Sequence, residues 1–481
     1  MNLLHNIIRP FKSDLSKFPN LKINGIKTDS NKVTKGDLFI AIKGNKIDGH
    51  KFIHQAVNLG ASALITNNDS DDSLSLPQIK VKDTRIAISL IAANYYNNPS
   101  RELTVIGITG TNGKTSTACL ITSILKESGL KVAQIGTLGV MAEEIKNEKG
   151  LTTPDPISLH KTFSALKQKR YSHIVMEVSS HALDQHRVAD INFNIAIFTN
   201  LSQEHLDYHK SMNSYYLAKL KLFKMLTAEA ISIVNNSSKY AQEIIGISKC
   251  KTITFSSKSN GDIFFDNPSI TLNGITGDIK AENTNYRIKS KLLGEFNSEN
   301  ILAAVSAGHA LKIKKEKIEL GIQSCHTIPG RMESFDLKSG ARAIIDYAHT
   351  PDAYQKVLIM LKKTATKKSR IYVVFGAGGE RDRSKRPEMA RISEKFAKHT
   401  FIVPDNPRTE DPKKIIKDIL SGFSYNNYSL FNDRRKGLEE AIINSKKNDI
   451  IVIFGKGREE YQDVGNGRFY YSDLKVIQDY Q

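Results

Sequence analysis

The sequence predicts an α/β protein with three domains. Its 481 residues are too many for one hydrophobic core, since domains usually contain about 100 to 200 residues. Short apolar strands alternate with helical patterns along most of the chain, which is typical of mostly parallel sheets covered by helices. Breaker clusters at 97–100 and 328–330 divide the chain. We therefore predict domains at 1–99, 100–328 and 329–481.

The first region predicts a small N-terminal α/β domain. Between residues 23 and 98, short apolar strands such as 38–42 alternate with turn clusters. One amphipathic stretch, at 50–59, has a helical pattern.

The central region predicts a mostly parallel sheet with an antiparallel appendage. It opens with the β-branched strand 104–108, a glycine-rich turn and a helix at 114–128. Further buried strands are expected at 173–178, 194–199 and 231–234. From 252 to 293 short alternating strands with Asn and Gly turns indicate antiparallel pairing, and a helix at 297–311 closes the region.

The last region predicts a C-terminal doubly wound, Rossmann-like domain. Strands are expected at 343–346, 371–375, 400–403 and 450–454, each followed by a loop and a helical pattern. Ligands of such a sheet gather at the carboxyl ends of its strands.

Composition narrows the class of partner. The chain is 40% hydrophobic and 25% charged, as in ordinary soluble globular proteins. Its net charge of +19 suits a nucleic acid, an anionic membrane surface or a polyanionic small substrate. Because the lysines are spread thinly and form no arginine-rich arm, we expect solvated surfaces and no nucleic-acid partner.

The cysteines and the apolar runs indicate the compartment. Cys119, Cys250 and Cys325 form no CxxC pair, which fits a reducing compartment and no zinc ribbon. The apolar run at the start is too short for a signal peptide, and no later run has the length of a membrane span. We expect a cytoplasmic monomer without membrane insertion.

A phosphate-binding loop is predicted between the strand 104–108 and the helix 114–128, which makes the central domain a P-loop domain. In GITGTNGKT, residues 107–115, glycines let backbone N–H groups approach phosphates, Lys114 reaches the β/γ oxygens and Thr115 can hold Mg²⁺. The strict spacing has glycine at position 108, where this chain has Ile108. The loop is therefore a variant.

Polar residues after later strands are further candidates. Glu177 follows an apolar strand, where it can be a second magnesium ligand or a cap of the next helix. His205 and His209 are four apart, but the glutamate of an HExxH zinc motif is missing. Ser179 precedes Ser180 and His181 without a nucleophile elbow, so we expect it to bind substrate by hydrogen bonds.

Six segments occur in the order seen in the Mur ligases and span nearly the whole chain. They are GTNGKT at 110–115, EVSSHAL at 177–183, TNLSQEHLDYH at 199–209, GEFNSEN at 294–300, PGRM at 329–332 and DYAHTPD at 346–352. Through them the chain resembles the Mur ligase family. In the first domain, DS at 29–30, GDLF at 36–39 and DGH at 48–50 are similar to the uridine-binding domain of members that add the third amino acid.

The resemblance implies an ATP-dependent, ADP-forming ligase of peptidoglycan precursor synthesis. It would join meso-2,6-diaminopimelate to UDP-N-acetylmuramoyl-L-alanyl-D-glutamate. In the family a carboxylate attacks the γ-phosphate of ATP, and the amino group then displaces phosphate from the acyl phosphate. Because two anions meet in the first step, Lys114 and Mg²⁺ must neutralise their charge.

The resemblance also implies roles for individual residues. Lys114, Lys219 and His205 would be catalytic, and Lys219 would carry a carbamate, which turns a cation into a metal-binding anion. Thr115, Glu177, His205 and the carbamate on Lys219 would hold or neighbour the metals. ATP would contact Gly110, Thr111, Asn112, Gly113, Lys114, Thr115, Ser116, Asn297, Asn300, Arg331 and Asp346. Without the resemblance, Lys219 would be expected to be an exposed helix lysine.

Two further sets follow for the other substrates. The nucleotide-sugar dipeptide would meet Ser30, Asn45, Thr152, Thr153, Ser179, Gln185 and Arg187. Position 45 is Asn where some relatives have His. The amino acid would meet Arg381, Asp405, Asn406, Arg408, Gly455 and Glu459, with a DNPR segment at 405–408.

A guanidinium group can bind the distal carboxylate of diaminopimelate in a bidentate way, and L-lysine has no such carboxylate. Asn-Pro before a charged residue is also a common turn.

Four alternatives remain open. An L-lysine-adding enzyme would share everything but the acceptor site. A folylpolyglutamate synthase-like ligase would share the loop but lack the uridine-type first domain and the DNPR segment. A nucleic-acid-stimulated ATPase would show strong, salt-dependent nucleic-acid affinity. A binding module without catalysis is disfavoured because Lys114, Glu177 and Lys219 are all present.

Overall fold

A computed structural model describes most of the chain. The described residues are 2–11, 14–44, 47–67, 71, 73–145, 147, 150–271, 273–366 and 368–481. They form three main sheets, which follow one another along the sequence.

The first sheet has four parallel strands in sequence order. They are β1 Ile26–Lys27, β2 Leu38–Ile40, β3 Ala63–Thr66 and β4 Gln78–Lys80. The accompanying helices are α1 Leu4–Ile8, α2 Ile53–Asn58 and α3 Thr84–Tyr95. The predicted amphipathic stretch begins as a 3-10 turn, Gly49–Phe52, and continues as α2. Asp83 caps α3 by accepting from the backbone N–H groups of Arg85 and Ile86.

The second sheet has ten strands. They are β5 Thr104–Thr109, β6 Val132–Gly136, β7 Gly139–Met141, β8 His173–Glu177, β9 Ile195–Phe198, β10 Ile231–Asn235, β11 Lys251–Ser256, β12 Ile263–Thr271, β13 Gly274–Ala281 and β14 Thr284–Ser290. The order is β14-β13-β12-β11-β10-β9-β5-β8-β6-β7. Its helices are α4 Lys114–Glu127, α5 Pro156–Gln168, α6 Ser180–Asp184, α7 Leu206–His209, α8 Met212–Lys224, α9 Ala241–Ile247, α10 Phe296–Ala310 and α11 Lys315–Ser324.

The antiparallel strands are part of this main sheet. β12 pairs with β11 in parallel, and β13 and β14 then add in antiparallel fashion. The prediction of antiparallel strands in this region is confirmed. They do not form a separate appendage, however: β12 hydrogen-bonds to the edge of β11, so these strands continue the parallel sheet.

The third sheet has six strands in the order β15-β16-β20-β17-β18-β19, and β15 alone of these is antiparallel to its neighbour. The strands are β15 Glu333–Asp336, β16 Arg342–Asp346, β17 Ile371–Phe375, β18 His399–Ile402, β19 Tyr428–Leu430 and β20 Ile450–Phe454, followed by the hairpin of β21 Tyr461–Asp463 and β22 Arg468–Tyr470. Its helices are α12 Pro351–Thr364, α13 Lys385–Phe396, α14 Pro412–Leu420, α15 Arg434–Ile443 and α16 Asp473–Gln478.

The central strands are apolar on both faces because helices cover both sides. In β20, Ile450, Val452 and Phe454 pack into one core, and Ile451 and Ile453 pack into the core on the other face. The predicted fold class, three α/β domains with a doubly wound last domain, is confirmed. In the part of the chain that the structure describes, no helix has both the length and the apolar character needed to cross a membrane.

Candidate active site

The phosphate-binding loop connects β5 to α4, and two of its glycines stand where a side chain does not fit. Gly110 has φ +152°, and a Cβ atom there would lie 1.9 Å from Oγ1 of Thr199. Gly113 has φ +86°, and a Cβ atom there would lie 2.2 Å from Oδ1 of Asn300. The two glycines therefore permit a loop that presents backbone N–H groups at the N-terminus of α4. Such N–H groups bind anions.

Residues that follow β9 hold the loop in place. Oδ1 of Asn200 accepts from the N–H of Asn112 at 2.9 Å, and its Nδ2 donates to the carbonyl of Asn112 at 3.1 Å. Oγ1 of Thr199 donates to the same carbonyl at 2.7 Å. The loop conformation is thus fixed by protein contacts, so a bound phosphate need not order it.

Two lysines of the site lie beside the loop, Lys219 buried and Lys114 partly buried. Nζ of Lys114 donates to the carbonyls of Gly110 at 2.9 Å and Thr111 at 2.8 Å, and Nζ of Lys219, on α8, donates to Gly110 at 2.8 Å. Lys219 is 2% exposed, unlike an ordinary helix lysine. Burial, and then the charge of Lys114, hold the pKa of Lys219 well below its usual range. Burial also lowers the pKa of Lys114.

Glu177 ends β8, as predicted, and its carboxylate faces the loop. Oγ1 of Thr115 lies 3.0 Å from both carboxylate oxygens, the N–H of Thr137 donates to Oε1 at 2.9 Å and its hydroxyl to Oε2 at 3.1 Å. The alternative that Glu177 caps the next helix is wrong, because Ser179 caps α6 by accepting from the N–H of Ala182 at 3.2 Å. The oxygen atoms of Thr115 and Glu177 are of the type that Mg²⁺ prefers.

The four predicted metal residues fall into two groups. Thr115 and Glu177 are in direct contact. Lys219 and His205 both lie near Tyr215, with Nζ 4.5 Å and the imidazole 6.1 Å from the centre of its ring. Within the described ranges, no cluster of three or more His, Cys, Asp or Glu side chains is arranged to hold a metal ion.

A cleft opens between the second and third sheets beside the loop. Its lining includes Asn112, Gly113, Thr115, Ser116, Asn200, Phe296, Glu299, Asn300, Arg331, Asp346, Ala348, His349, Thr350, Ala353, Lys356 and Val357. The structure therefore brings predicted nucleotide residues of two domains to one cleft. Asn297 lies one turn before Asn300 on α10. Nδ2 of Asn300 donates to Oδ1 of Asn297 at 2.8 Å.

Asp346 and Arg331 form the C-terminal wall of this cleft. The two carboxylate oxygens of Asp346 accept from the N–H groups of Met332 and Ala348, each at 2.8 Å. Burial raises the pKa of Asp346, and Arg331 opposes this effect. The guanidinium of Arg331 lies 4.7 Å from the centre of the Tyr347 ring. The side chains of Asp346 and Arg331 are thus held in place by residues adjacent to them in the 331–332 and 346–348 segments.

An ion pair crosses the cleft. Nε2 of His349, three residues after β16, lies 3.1 Å from Oε1 of Glu204, which belongs to the loop after β9. Oε2 of Glu204 lies 3.7 Å from Nε2 of His205. Burial opposes ionisation of Glu204, but the hydrogen bond from His349 and the nearby cations hold its pKa below its usual range.

The residues predicted for the nucleotide-sugar dipeptide divide between two sheets. Oγ1 of Thr153 accepts from the N–H of Ser179 at 3.0 Å, and the carbonyl of Thr153 accepts from Arg187 at 2.9 Å. Arg187 also donates to Oε1 of Gln185 at 2.6 Å, and Thr152 approaches Thr137 at 3.4 Å between their Oγ1 atoms. Ser30 lies in the first domain, where its hydroxyl donates to Gln55 at 2.9 Å. Asn45 lies outside the described residues.

The predicted acceptor residues gather beyond the carboxyl ends of β17, β18 and β20. Arg381 and Arg408 flank Gly378: a Cβ atom there would lie 3.8 Å from Cγ of Arg381 and 3.2 Å from Nη1 of Arg408. Arg408 has φ +53°, and its Nη1 donates to the carbonyl of Gly379 at 2.6 Å. The DNPR segment thus leads into a turn, in which the N–H of Glu410 donates to the carbonyl of Pro407, and it places the Arg408 guanidinium near the side chain of Arg381.

Asn406 organises the acidic side of this group. Its Nδ2 donates to Oε2 of Glu459 at 2.9 Å, and its Oδ1 accepts from Nζ of Lys456 at 3.0 Å. A Cβ atom at Gly455, where φ is +103°, would lie 2.8 Å from Oδ2 of Asp405. Glycine at 455 therefore leaves room for the Asp405 carboxylate.

Sequence reasoning assigned no role to five residues that the structure connects to the site. They are Thr137, Glu204, Tyr215, His349 and Lys456. Glu204 and His349 lie inside the recognised segments 199–209 and 346–352, and Lys456 lies between two glycines, so a signal existed for these three. Thr137 and Tyr215 stand in no motif.

Comparison with known proteins agrees with this geometry. Residues 22–96 match the Mur ligase family catalytic domain, residues 108–308 the Mur ligase middle domain, and residues 330–457 the Mur ligase glutamate ligase domain. The chain is 39% identical over 460 residues to the UDP-N-acetylmuramoyl-L-alanyl-D-glutamate–2,6-diaminopimelate ligase of Syntrophomonas wolfei, covering 95% of this chain and 94% of that protein. Identity to the ligase of the same name from Bacillus cereus is 37% over 487 residues, covering 99% and 98%.

Solved structures are similar over most or all of the chain. A UDP-N-acetylmuramoyl-L-alanyl-D-glutamate–2,6-diaminopimelate ligase has a TM-score of 0.71 at 28% identity, covering 100% of this chain and 98% of that one. A folylpolyglutamate synthase of Mycobacterium tuberculosis, complexed with ADP, shares the fold at 16% identity, with a TM-score of 0.65 and coverage of 77% and 91%. The resemblance predicted from six motifs is confirmed over nearly the whole sequence: the chain belongs to the Mur ligase family.

Proposed function

We propose that this protein is the ATP-dependent ligase that adds meso-2,6-diaminopimelate to UDP-N-acetylmuramoyl-L-alanyl-D-glutamate. One observation carries the proposal: the side chains of Arg381 and Arg408 both lie next to Gly378. The contact between Asn406 and Glu459 is close by, in the domain that faces the phosphate-binding loop. Two arginine side chains in one pocket with the Glu459 carboxylate match an amino acid that ends in both a carboxylate and an ammonium group.

The reaction joins a carboxylate to an amine in two steps. The D-glutamyl carboxylate attacks the γ-phosphorus of ATP, the bond to the ADP oxygen breaks, and an acyl phosphate forms. The amine of diaminopimelate attacks the acyl carbon, loses a proton, and phosphate leaves. Lys114 and the loop N–H groups neutralise phosphoryl charge in the first step. Magnesium, when bound, supplies further neutralisation of that charge.

Four residues are proposed to hold or neighbour magnesium. Thr115 and Glu177 offer oxygen ligands 3.0 Å apart, which suits a hard cation. Lys219 fits as the site of a carbamate, because its buried amine adjoins the same loop and has a lowered pKa. His205 completes the set, with its imidazole near the same Tyr215 ring as the Lys219 amine.

The nucleotide is proposed to occupy the cleft between the second and third sheets. Asn297 and Asn300 would contact adenine, and Arg331 and Asp346 would contact phosphates and ribose. Support comes from the cleft lining, which joins Asn300, Arg331 and Asp346 to the loop residues. The remaining loop contacts are Gly110, Thr111, Asn112, Gly113, Lys114, Thr115 and Ser116.

The nucleotide sugar and its dipeptide are proposed to extend from the first domain toward Glu177. Ser30 and Asn45 would bind the uridine end, and Thr152, Thr153, Ser179, Gln185 and Arg187 the sugar and dipeptide. The contacts of Thr153 with Ser179 and Arg187 support a single binding surface there. The three domains keep the proposed bounds 1–99, 100–328 and 329–481, and we propose a cytoplasmic monomer.

Acceptor discrimination tests the proposal. Phosphate release is measured with meso-diaminopimelate and with L-lysine for the natural protein, Arg408→Ala and the charge-retaining Arg408→Lys. We expect the natural protein to prefer diaminopimelate strongly and Arg408→Ala to lose at least about tenfold of that preference, since a bidentate contact to a carboxylate is removed. Arg408→Lys should fall between the two, because an ammonium group cannot bind in a bidentate way.

Other results would favour the alternatives. Equal use of L-lysine by the natural protein would replace diaminopimelate with lysine as the acceptor. Activity on a folate substrate without the muramoyl dipeptide would favour a folylpolyglutamate synthase-like ligase.

A further inference from the structure

We propose that the Glu204–His349 ion pair is a positioning contact that holds the acceptor domain against the phosphate-binding loop while the amide bond forms. The inference rests on the proposed ligase function. The two residues are separated by 145 positions in sequence and lie in loops that follow strands of different sheets, yet Nε2 of His349 lies 3.1 Å from Oε1 of Glu204.

The imidazole of His349 has an acceptor at each nitrogen. Nδ1 lies 3.0 Å from the carbonyl oxygen of Tyr347, and Nε2 faces the Glu204 carboxylate. A carboxylate only accepts, so Nε2 donates the hydrogen bond to Glu204. A hydrogen bond to a carboxylate is stronger than one between neutral groups.

Both partners are attached to parts of the site. Glu204 lies two residues after Ser202, whose N–H donates to Oγ1 of Thr111 in the phosphate-binding loop at 3.0 Å. His349 lies three residues after Asp346, whose carboxylate holds the N–H groups of Met332 and Ala348. A displacement at one end of the ion pair is thus transmitted to the loop or to the C-terminal sheet.

The ion pair provides a second attachment between the domains. Leu293 and Phe296 already pack on the core of the third sheet, close to the chain crossing at 328–331. An apolar contact alone lets the C-terminal domain rotate relative to the central domain. A second contact, across the cleft, restricts this rotation. The amine in one domain must approach an acyl phosphate in the other to about 3 to 3.5 Å, and misplacement by about 1 Å can cost about a hundredfold in rate.

The two chemical steps separate this role from others. Acyl phosphate formation is measured without diaminopimelate, by quenching and borohydride reduction of the acyl phosphate, and amide formation by single turnover after acceptor is added. For His349→Ala we expect amide formation to slow by about 10- to 100-fold while acyl phosphate formation and the KM for ATP change less than about threefold. His349→Gln, which keeps a donor toward Glu204, should recover part of the amide-forming rate.

A matched histidine provides the control. His399 lies in the same sheet, but its Nε2 contacts Ser429 within that sheet at 2.9 Å. His399→Gln should leave both steps unchanged. In the double variant Glu204→Gln/His349→Ala, amide formation should be no slower than in the slower single variant, because both changes break one contact.

Three outcomes would overturn the inference: equal slowing of both steps in His349→Ala and His349→Gln, a raised KM for ATP that accounts for the whole effect, or rate losses that multiply in the double variant. Failure of the natural protein to form an acyl phosphate would instead overturn the proposed function.

Discussion

Lys114 and Lys219 donate hydrogen bonds to a single acceptor, the carbonyl oxygen of Gly110, at 2.9 and 2.8 Å. Two ammonium groups at one oxygen repel each other, so the charged form of the more deeply buried lysine is disfavoured. The arrangement favours a neutral amine on Lys219, and a neutral amine can attack the carbon of CO₂ and release a proton to give a carbamate.

The first prediction follows for Lys219. With ¹³C-bicarbonate, the natural protein should show a carbamate carbon resonance that Lys219→Arg lacks, and the variant should lose at least about a hundredfold in rate, comparable to loss of a major electrostatic contact. Lys221→Arg is the control, because Lys221 lies on the same helix but pairs with Asp184 in a partly exposed bridge. A carbamate signal of undiminished size in Lys219→Arg would show that another lysine carries it.

The second prediction compares two glycines with positive φ. Gly113 and Gly129 have φ +86° and +77°, but a Cβ atom meets Asn300 at 2.2 Å in the first and nothing within 4 Å in the second. Gly113→Ala should raise the KM for ATP at least about tenfold, whereas Gly129→Ala should cost only the backbone strain of about 1–2 kcal/mol in unfolding free energy. Steady-state kinetics and thermal unfolding distinguish the two effects. Equal KM values would mean that the loop tolerates a methyl group.

The third prediction concerns the hydroxyl of Thr115. Thr115→Val keeps the shape but removes the oxygen that lies 3.0 Å from Glu177, and it leaves a buried carboxylate with one partner fewer. We expect a higher Mg²⁺ requirement and at least about tenfold lower activity, while Thr115→Ser stays within about threefold. Titration of activity with MgCl₂ measures this. An unchanged magnesium dependence in the valine variant would exclude the hydroxyl from the metal site.

The fourth prediction concerns stability against pH in the last domain. Glu410 binds the fully buried guanidinium of Arg386 with both carboxylate oxygens at 2.8 Å, and this hydrogen bonding lowers the pKa of Glu410 to about 2. A depressed carboxyl pKa stabilises the fold above its ordinary value of 4.5, and this stabilisation is lost as pH falls toward about 2.

Glu410→Gln should therefore lower the unfolding free energy at pH 7 by about 2–4 kcal/mol, because the buried Arg386 guanidinium loses one of its two carboxylate partners and keeps only Asp418. The difference should shrink between about pH 5 and pH 2. Urea unfolding at several pH values measures it, and Glu439→Gln, in a partly exposed pair with Arg435, should change stability by less than about 1 kcal/mol. A constant difference across this range would mean that ionisation of Glu410 is not its source.

Local patterns were enough to predict the parts of the site that lie within one segment. Three parts of the site follow from the order of residues along a strand and just after it. They are the loop between β5 and α4, Glu177 at the end of β8 and the DNPR segment at 405–408. By contrast, the pairing of Glu204 with His349 depends on how two sheets pack, and no periodicity records it. Lys219 is buried because it lies on the packed face of α8 with Tyr215 and Leu222, and this face follows from helical spacing. Its contact with the loop carbonyl of Gly110 depends on how the helix packs on the loop and was not predictable from the pattern.

The proposed site is divided between two sheets: the phosphate-binding loop belongs to one, and the proposed contacts to the incoming amino acid belong to the other. The loop is held by residues of its own sheet, and the Arg381–Arg408 group is built from turns of the last one. In evolutionary terms such a division is modular. A lineage can change which amino acid it adds by altering one set of loops, while the phosphate-binding loop is inherited unchanged.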